Sequence, residues 1–148
     1  MRPRYCTQQD RENEARVLAR FVKRLAETAP AHTWAGKATP DDMDVDGVIY
    51  RDGVACCLIE IKNRKGSGAG HDTWFIAEDK ITRCQRRAAA LKLNFVLLMV
   101  WESEIFYIAN KDIPMTDVRQ GGRTDRKDPH DIERMLHIPQ TLFRKYSI

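Results

Sequence analysis

Residues 44–62, with the sequence DVDGVIYRDGVACCLIEIK, decide the fold of this chain. Their composition predicts a strand over residues 45–50 and a second strand over residues 54–62. Between them, Arg51-Asp52-Gly53 is typical of a tight turn that joins two antiparallel strands. The stretch therefore predicts two strands that can pair through this turn.

The second strand carries two charged side chains at positions where strands usually have apolar ones. Successive side chains of a strand point to opposite faces, so Glu60 and Lys62 project from the same face, about 7 Å apart. If the strands pair, Asp46 meets them at one edge of the sheet. Two carboxylates held together repel each other, and a hard divalent cation such as Mg²⁺ is the usual reason to tolerate this. Asp44 shares the strand face of Asp46, so either acid can be the strand-borne ligand.

Length and charge limit the possible classes of protein. The chain has 148 residues, the size of a single domain over residues 1–148, and its composition is that of a globular protein. Its net charge is +4, which is compatible with a polyanionic partner. No apolar run of about 18 residues is present to span a membrane. The first 15 residues lack the apolar segment of a signal peptide, so we expect a cytoplasmic protein with no membrane partner.

A long helix is predicted before the two strands, from a cap at Thr7 or Asp10 to about Ala29. Glu14 shares the buried stripe of this helix, four residues before Leu18 and at helical spacing from the next apolar positions. An acid in the first turn can simply stabilise the helix dipole. Alternatively, Glu14 can act as a ligand.

The rest of the chain predicts a second helix and two further strands. In chain order, we expect a loop over residues 30–43, a Gly/Ser-rich loop over residues 63–74, a helix over residues 78–93, strands over residues 94–101 and 105–109, an exposed loop over residues 116–129 and a short helix over residues 131–136. The fold class is α/β, with one mixed sheet flanked by helices and a short C-terminal helical appendage. The Gly/Ser-rich loop is either a mobile segment that closes over a substrate or a plain linker.

Basic side chains cluster at two places in this order. Arg64 and Lys65 lie at the root of the Gly/Ser-rich loop, and Lys80, Arg83 and Arg87 form a stripe on the second helix. Such a stripe is either solvated surface or, on a nucleic-acid enzyme, a face that follows phosphates. The stripe alone does not decide between the two.

The order of these residues resembles a known family. Asp46 followed by Glu60-Ile61-Lys62, with Glu14 on the preceding helix and Gln85 on the following one, resembles the PD-(D/E)XK nuclease superfamily with its restriction-endonuclease-like fold. The pattern is most similar to small phage and bacterial members, including the VRR-NUC and Holliday-junction-resolvase-like groups. The resemblance covers roughly residues 8–109. The chain departs from the pattern in having Val45 rather than proline before Asp46.

The resemblance implies a role for each of these residues. The ligands of Mg²⁺ or Mn²⁺ would be the carboxylates of Asp46, Glu60 and Glu14 and the backbone carbonyl of Ile61. Lys62 would orient or help to deprotonate the attacking water, and Gln85 would hold the lysine or the scissile phosphate. A carboxylate-bound metal beside a lysine suits phosphodiester hydrolysis, because it supplies the nucleophile and neutralises the phosphate.

The sequence therefore predicts a metal-dependent endodeoxyribonuclease that acts on DNA, with DNA favoured over RNA. The alternative is a nucleic-acid-binding or assembly protein that keeps the fold without hydrolysis. Resolvases of this fold act as dimers, which makes a homodimer possible here.

Overall fold

The computed structural model of the protein describes residues 7–40, 44–102, 104–122 and 132–146. Two helices and nine strands lie within these ranges. In chain order they are α1 (Gln8–Thr28), β1 (Trp34–Ala38), β2 (Gly47–Arg51), β3 (Val54–Arg64), β4 (Thr73–Ala77), α2 (Glu78–Leu91), β5 (Asn94–Trp101), β6 (Glu104–Ala109), β7 (Val118–Gly122), β8 (Ile132–Pro139) and β9 (Arg144–Tyr146). Among the described residues, neither helix is both long enough and apolar enough to cross a membrane.

The main sheet has six strands in the order β1-β2-β3-β5-β6-β9. β3 and β5 run parallel, and the other neighbours are antiparallel, so the predicted mixed sheet is confirmed. The predicted turn joins β2 to β3, with Asp52 and Gly53 at φ angles of 53° and 81°. An Asp-Gly pair suits this turn because both residues tolerate positive φ.

α1 covers one face of the main sheet. Its N-terminus has the predicted cap: the Thr7 hydroxyl accepts the Asp10 N–H at 3.1 Å, and the Asp10 carboxylate accepts the Thr7 N–H at 2.9 Å. The buried positions of the helix and of the strands beneath it form one cluster: Val17, Leu18, Phe21, Ile49, Ile59, Ile61, Leu98, Val100 and Ile105. The face of β3 that carries Ile59 and Ile61 therefore packs against α1.

α2 covers the opposite face. Its buried positions join Leu58 of β3 and side chains of a second sheet in another cluster, which includes Trp74, Ile76, Ile81, Cys84, Ala88, Phe95, Leu97, Met99, Leu136 and Ile138. Because strand side chains alternate, Glu60 and Lys62 share the face of Leu58 and point towards α2. The acid and the lysine of β3 thus lie on the side of the sheet away from α1.

A second, antiparallel sheet has the strand order β4-β8-β7, and here the sequence prediction was wrong in part. We predicted a helix over residues 131–136, but Ile132–Pro139 is the central strand of this sheet, and residue 131 lies outside the described residues. Ile132, Met135 and Leu136 have the i, i+3, i+4 spacing of a helix, which explains the error. Pairing with both β4 and β7 outweighs this local pattern.

β1 and β7 lie where loops were predicted, and β4 begins at the last two residues of the predicted Gly/Ser-rich loop. β1 is an edge strand with the sequence WAGKA, and Ala, Gly and Lys are depleted in strands, so its sequence carries little strand signal. It is positioned by antiparallel pairing with β2 and by Gly36, where an added Cβ would lie 2.8 Å from Val22 of α1.

Candidate active site

Glu60 is the centre of the candidate site. Its side chain lies in the middle of β3 and the residue is 3 % exposed, which makes it the one buried charged residue among those described. A carboxylate removed from water is costly unless charges or hydrogen bonds compensate it. The groups around Glu60 therefore decide what the site can do.

Asp46 is held directly beside β3 by the backbone. Its N–H donates to the Ile59 carbonyl at 2.9 Å, and its carboxylate accepts the Ile61 N–H at 2.8 Å. These two bonds bracket Glu60 and bring the Asp46 carboxyl within hydrogen-bonding reach of the Glu60 carboxyl. The acids at positions 46 and 60, which are far apart in sequence, thus meet on one side of the sheet.

Three effects act on the ionisation of Glu60. Burial raises the pKa of its carboxyl well above the ordinary value, and the neighbouring Asp46 raises that pKa further. The ammonium of Lys80 opposes both effects, with its Nζ 3.2 Å from Glu60 Oε2. The Cys84 thiol donates a longer contact of 3.8 Å to the same oxygen. Two carboxyl groups held together in this way offer oxygen ligands that could bind a cation.

Lys80 is the ion-pair partner of Glu60, a role that was missed in the sequence prediction. We placed it in a basic stripe on the second helix, but in the structure it pairs with the acid of β3. A signal was present: Lys80 lies one turn before the buried Cys84, at i and i+4, and therefore on the same side of α2.

Asp44 and Asp46 have different partners. Asp44 accepts Arg83 Nη1 at 3.2 Å and Arg87 Nη2 at 3.5 Å, so two guanidinium groups of α2 neutralise it. Asp46 instead lies with Glu60. The two arginines of the predicted basic stripe are thus partly engaged with an acid of the protein itself.

Glu14 is not brought together with these acids. It is half-buried on α1, which covers the face of the sheet opposite to Glu60. Within the described ranges, no three or more His, Cys, Asp or Glu side chains form a group that could hold a metal. Of the three acids that we expected to lie together, the structure brings Asp46 and Glu60 together and leaves Glu14 on α1.

Lys62 lies on β3 and Gln85 lies on α2. Lys62 is half-buried and follows Glu60 on the same strand face. The Gln85 amide donates to Asn110 Oδ1 at 2.8 Å and makes a longer contact of 3.6 Å to Met115 Sδ. This directs the Gln85 side chain towards the segment that follows β6.

Arg64 and Lys65 end β3 and begin the Gly/Ser-rich loop. Arg64 continues the face of Glu60 and Lys62, donates to the Phe75 carbonyl and lies 4.7 Å from the centre of the Phe75 ring. Burial lowers the pKa of this guanidinium from its ordinary value. Lys65 is exposed.

The Gly/Ser-rich loop is anchored to the core at Gly68, while its neighbouring residues are exposed. Gly68 is buried, and its carbonyl accepts the Trp74 indole N–H at 2.9 Å and the His71 N–H at 3.2 Å. The His71 ring stacks on Trp101 with centroids 6.0 Å apart. These contacts fix one point of the loop in this structure.

The donor set at Glu60 fits a hard divalent cation. Asp46 and Glu60 offer carboxylate oxygens. Ile61, which lies between Glu60 and Lys62 in the chain, offers its backbone carbonyl. Mg²⁺ and Mn²⁺ prefer such oxygen ligands, and Mg²⁺ usually keeps several waters, so two carboxylates suffice to hold it.

Comparisons with known proteins identify the family and the fold of the chain. No curated protein matches the chain. Among solved structures, the Holliday junction resolvase Hjc of Archaeoglobus fulgidus is similar, with a TM-score of 0.55 and 12% sequence identity over 88% of this chain and 87% of that chain. At this identity the similarity shows the fold alone. A family profile described as "Phage putative PDDEXK endonuclease" matches residues 1–146, and the chain therefore belongs to this phage PDDEXK endonuclease family.

Proposed function

We propose that this nuclease is a divalent-metal-dependent endodeoxyribonuclease that hydrolyses phosphodiester bonds through an activated water. The observation that carries this proposal is the buried Glu60 carboxyl with the Asp46 carboxyl held beside it. A pair of acids in this position is destabilising for the fold by itself, because burial and mutual repulsion both oppose their charge. Binding of a cation would neutralise the two carboxylates and remove this repulsion.

Each residue of the site has a proposed task. Asp46 and Glu60, with the Ile61 carbonyl, would hold Mg²⁺ or Mn²⁺, which supplies Lewis acidity and a more acidic water. Asp46 is proposed as the strand-borne ligand in preference to Asp44, since Asp44 is already paired with two arginines. Lys62 orients the attacking water and offsets charge on the phosphate. Glu14 is left out of the proposed ligand set because it is not grouped with the other acids.

DNA is the proposed substrate. Arg64 and Lys65 follow Lys62 along the end of β3, and we propose that they contact the phosphates that flank the scissile one. Gln85 on α2 is proposed to hold Lys62 or the scissile phosphate. Arg83 and Arg87 can also contact the flanking phosphates, because each guanidinium has five N–H groups and the Asp44 pairs use only some of these. If the substrate is a branched DNA cut on two strands, two copies of the chain are needed.

A cleavage assay with purified protein tests the proposal. We expect cleavage of at least one of duplex, single-stranded and branched DNA with Mg²⁺ or Mn²⁺, and none with EDTA. Lys62→Ala should abolish cleavage and keep DNA binding within about threefold, because the role of the lysine is chemical rather than in affinity.

Lys145→Ala is the matched control, since Lys145 is an exposed lysine paired with Glu104 at the far edge of the sheet. It should cleave like the unaltered protein. Inert protein on all DNA substrates with both metals, together with retained DNA binding, would favour the alternative of a binding protein on the same fold.

A further inference from the structure

We propose that Lys80 competes with the divalent cation for the Glu60 carboxylate and is released towards the substrate phosphate when the cation binds. This inference rests on the proposed function, because it concerns the same site. It gives Lys80 a role separate from that of Lys62, which lies on the strand.

The first support is the environment of the ion pair. Lys80 Nζ lies 3.2 Å from Glu60 Oε2, and the two side chains are 29 % and 5 % exposed. By contrast, the pair of Lys145 and Glu104 has a similar distance of 3.0 Å, but its side chains are 53 % and 51 % exposed. The Lys80–Glu60 pair is thus much less exposed to solvent than a surface pair. The Glu60 oxygen that Lys80 contacts is also one of the carboxylate atoms of the site that a cation could use.

The second support is the balance of charge. Asp46 and Glu60 together carry at most two negative charges, which a divalent cation neutralises completely. If Lys80 stayed in contact with the same Glu60 oxygen, its ammonium would face that cation at close range, and like charges at close range repel. A phosphate diester carries one negative charge, so it can replace Glu60 as the ion-pair partner of a released Lys80.

The third support is that α2 does not depend on this ion pair for its position. Ile81, Cys84 and Ala88 bury one side of the helix in the core. Arg83 and Arg87 also bind it to Asp44. A lysine side chain has a flexible stem, so its ammonium can leave Glu60 without movement of the helix.

Mn²⁺ titration of the full chain by calorimetry tests this competition. We expect Lys80→Met to bind Mn²⁺ about tenfold more tightly than the unaltered protein, because the competing charge is gone. Lys80→Arg keeps the charge and should remain within about threefold of the unaltered protein. Lys145→Met removes an exposed lysine and should leave Mn²⁺ affinity unchanged.

A purely structural role for Lys80 predicts a different result. The variant would then be less stable, and its Mn²⁺ affinity would be equal or weaker, which would overturn the inference. If Lys80→Met is too unstable to titrate, Lys80→Gln and the Mn²⁺-induced rise in its unfolding temperature replace it. This rise should exceed that of the unaltered protein, and an equal or smaller rise overturns the inference.

Failure of the proposed function gives a distinct pattern. In that case neither the unaltered protein nor any variant binds Mn²⁺, and no DNA is cleaved, which refutes both proposals. Equal Mn²⁺ binding by the unaltered protein and Lys80→Met, together with cleavage, refutes only the role of Lys80.

Discussion

Replacing Asp46 by asparagine or by alanine separates two tasks of this side chain. The carboxylate accepts the Ile61 N–H at 2.8 Å, and it also lies beside the buried Glu60 carboxyl. Asparagine keeps an oxygen that can accept the N–H but removes the negative charge. Alanine removes both. The two variants should therefore change stability in opposite directions while both lose cleavage.

The structure sets the size of these effects. Two full charges about 4 Å apart repel by about 4 kcal/mol at an effective dielectric constant of about 20, which is an upper limit here. The raised pKa of Glu60 means that part of this repulsion is already relieved by protonation. We expect Asp46→Asn to gain about 1 kcal/mol. Asp46→Ala gains the same relief of repulsion, but the Ile61 N–H loses its acceptor at a cost of about 2–3 kcal/mol, so this variant should lose about 1–2 kcal/mol net. For a chain of this size, 1 kcal/mol corresponds to about 3 °C in unfolding temperature.

Thermal unfolding with EDTA and cleavage with Mn²⁺ measure the two tasks. Asp46→Asn should unfold about 3 °C higher than the unaltered protein and cleave at least about 100-fold more slowly. A loss of stability in Asp46→Asn equal to that in Asp46→Ala would show that the two carboxyl groups do not repel. Cleavage by Asp46→Asn at more than one tenth of the normal rate would remove Asp46 from the ligand set.

Two further predictions concern stability away from the site. A hydrogen bond from the Thr33 N–H, and then the His32 side chain, lower the pKa of Asp52 below its ordinary value of 3.8. The ionised Asp52 carboxylate therefore stabilises the fold above pH 3.8, and this stabilisation is lost as the pH falls through the folded-state pKa. The difference in unfolding temperature between the unaltered protein and Asp52→Asn should therefore shrink below pH 3.8, and a constant difference would contradict this. Gly68→Ala would place a Cβ 2.6 Å from the Trp74 ring and should lower the unfolding temperature by about 3–9 °C, whereas Gly70→Ala, with open space around it, should not. Equal unfolding temperatures for the two alanine variants would show that the loop is not held at Gly68.

The hairpin of β2 and β3 could be predicted because its signals are local. Asp52-Gly53 tolerates the positive φ angles of the turn, and alternation then fixes Glu60 and Lys62 on one face. The Thr7 cap and the apolar run of Asn94–Trp101 are equally local. These elements needed no knowledge of their partners in space.

The second sheet could not be predicted from local signals. Two of its paired strands, β4 and β8, come from segments separated by about 60 residues, and β8 carries apolar residues at helical spacing. Only the pairing of β8 with β4 and β7 makes it a strand, because that pairing satisfies its backbone on both sides. The same pairing buries Leu136 and Ile138 against α2.

The sequence by itself determined the hairpin, the acid and lysine of its second strand, and the nearby Asp46. The tertiary structure alone decided which charges meet: Asp46 with Glu60, Lys80 with Glu60, and Asp44 with Arg83 and Arg87. It also placed α1, and Glu14 with it, on the other face of the sheet. The physical reason is that the position of a residue on a strand or helix is set by local geometry, whereas its charge partner depends on how distant elements pack.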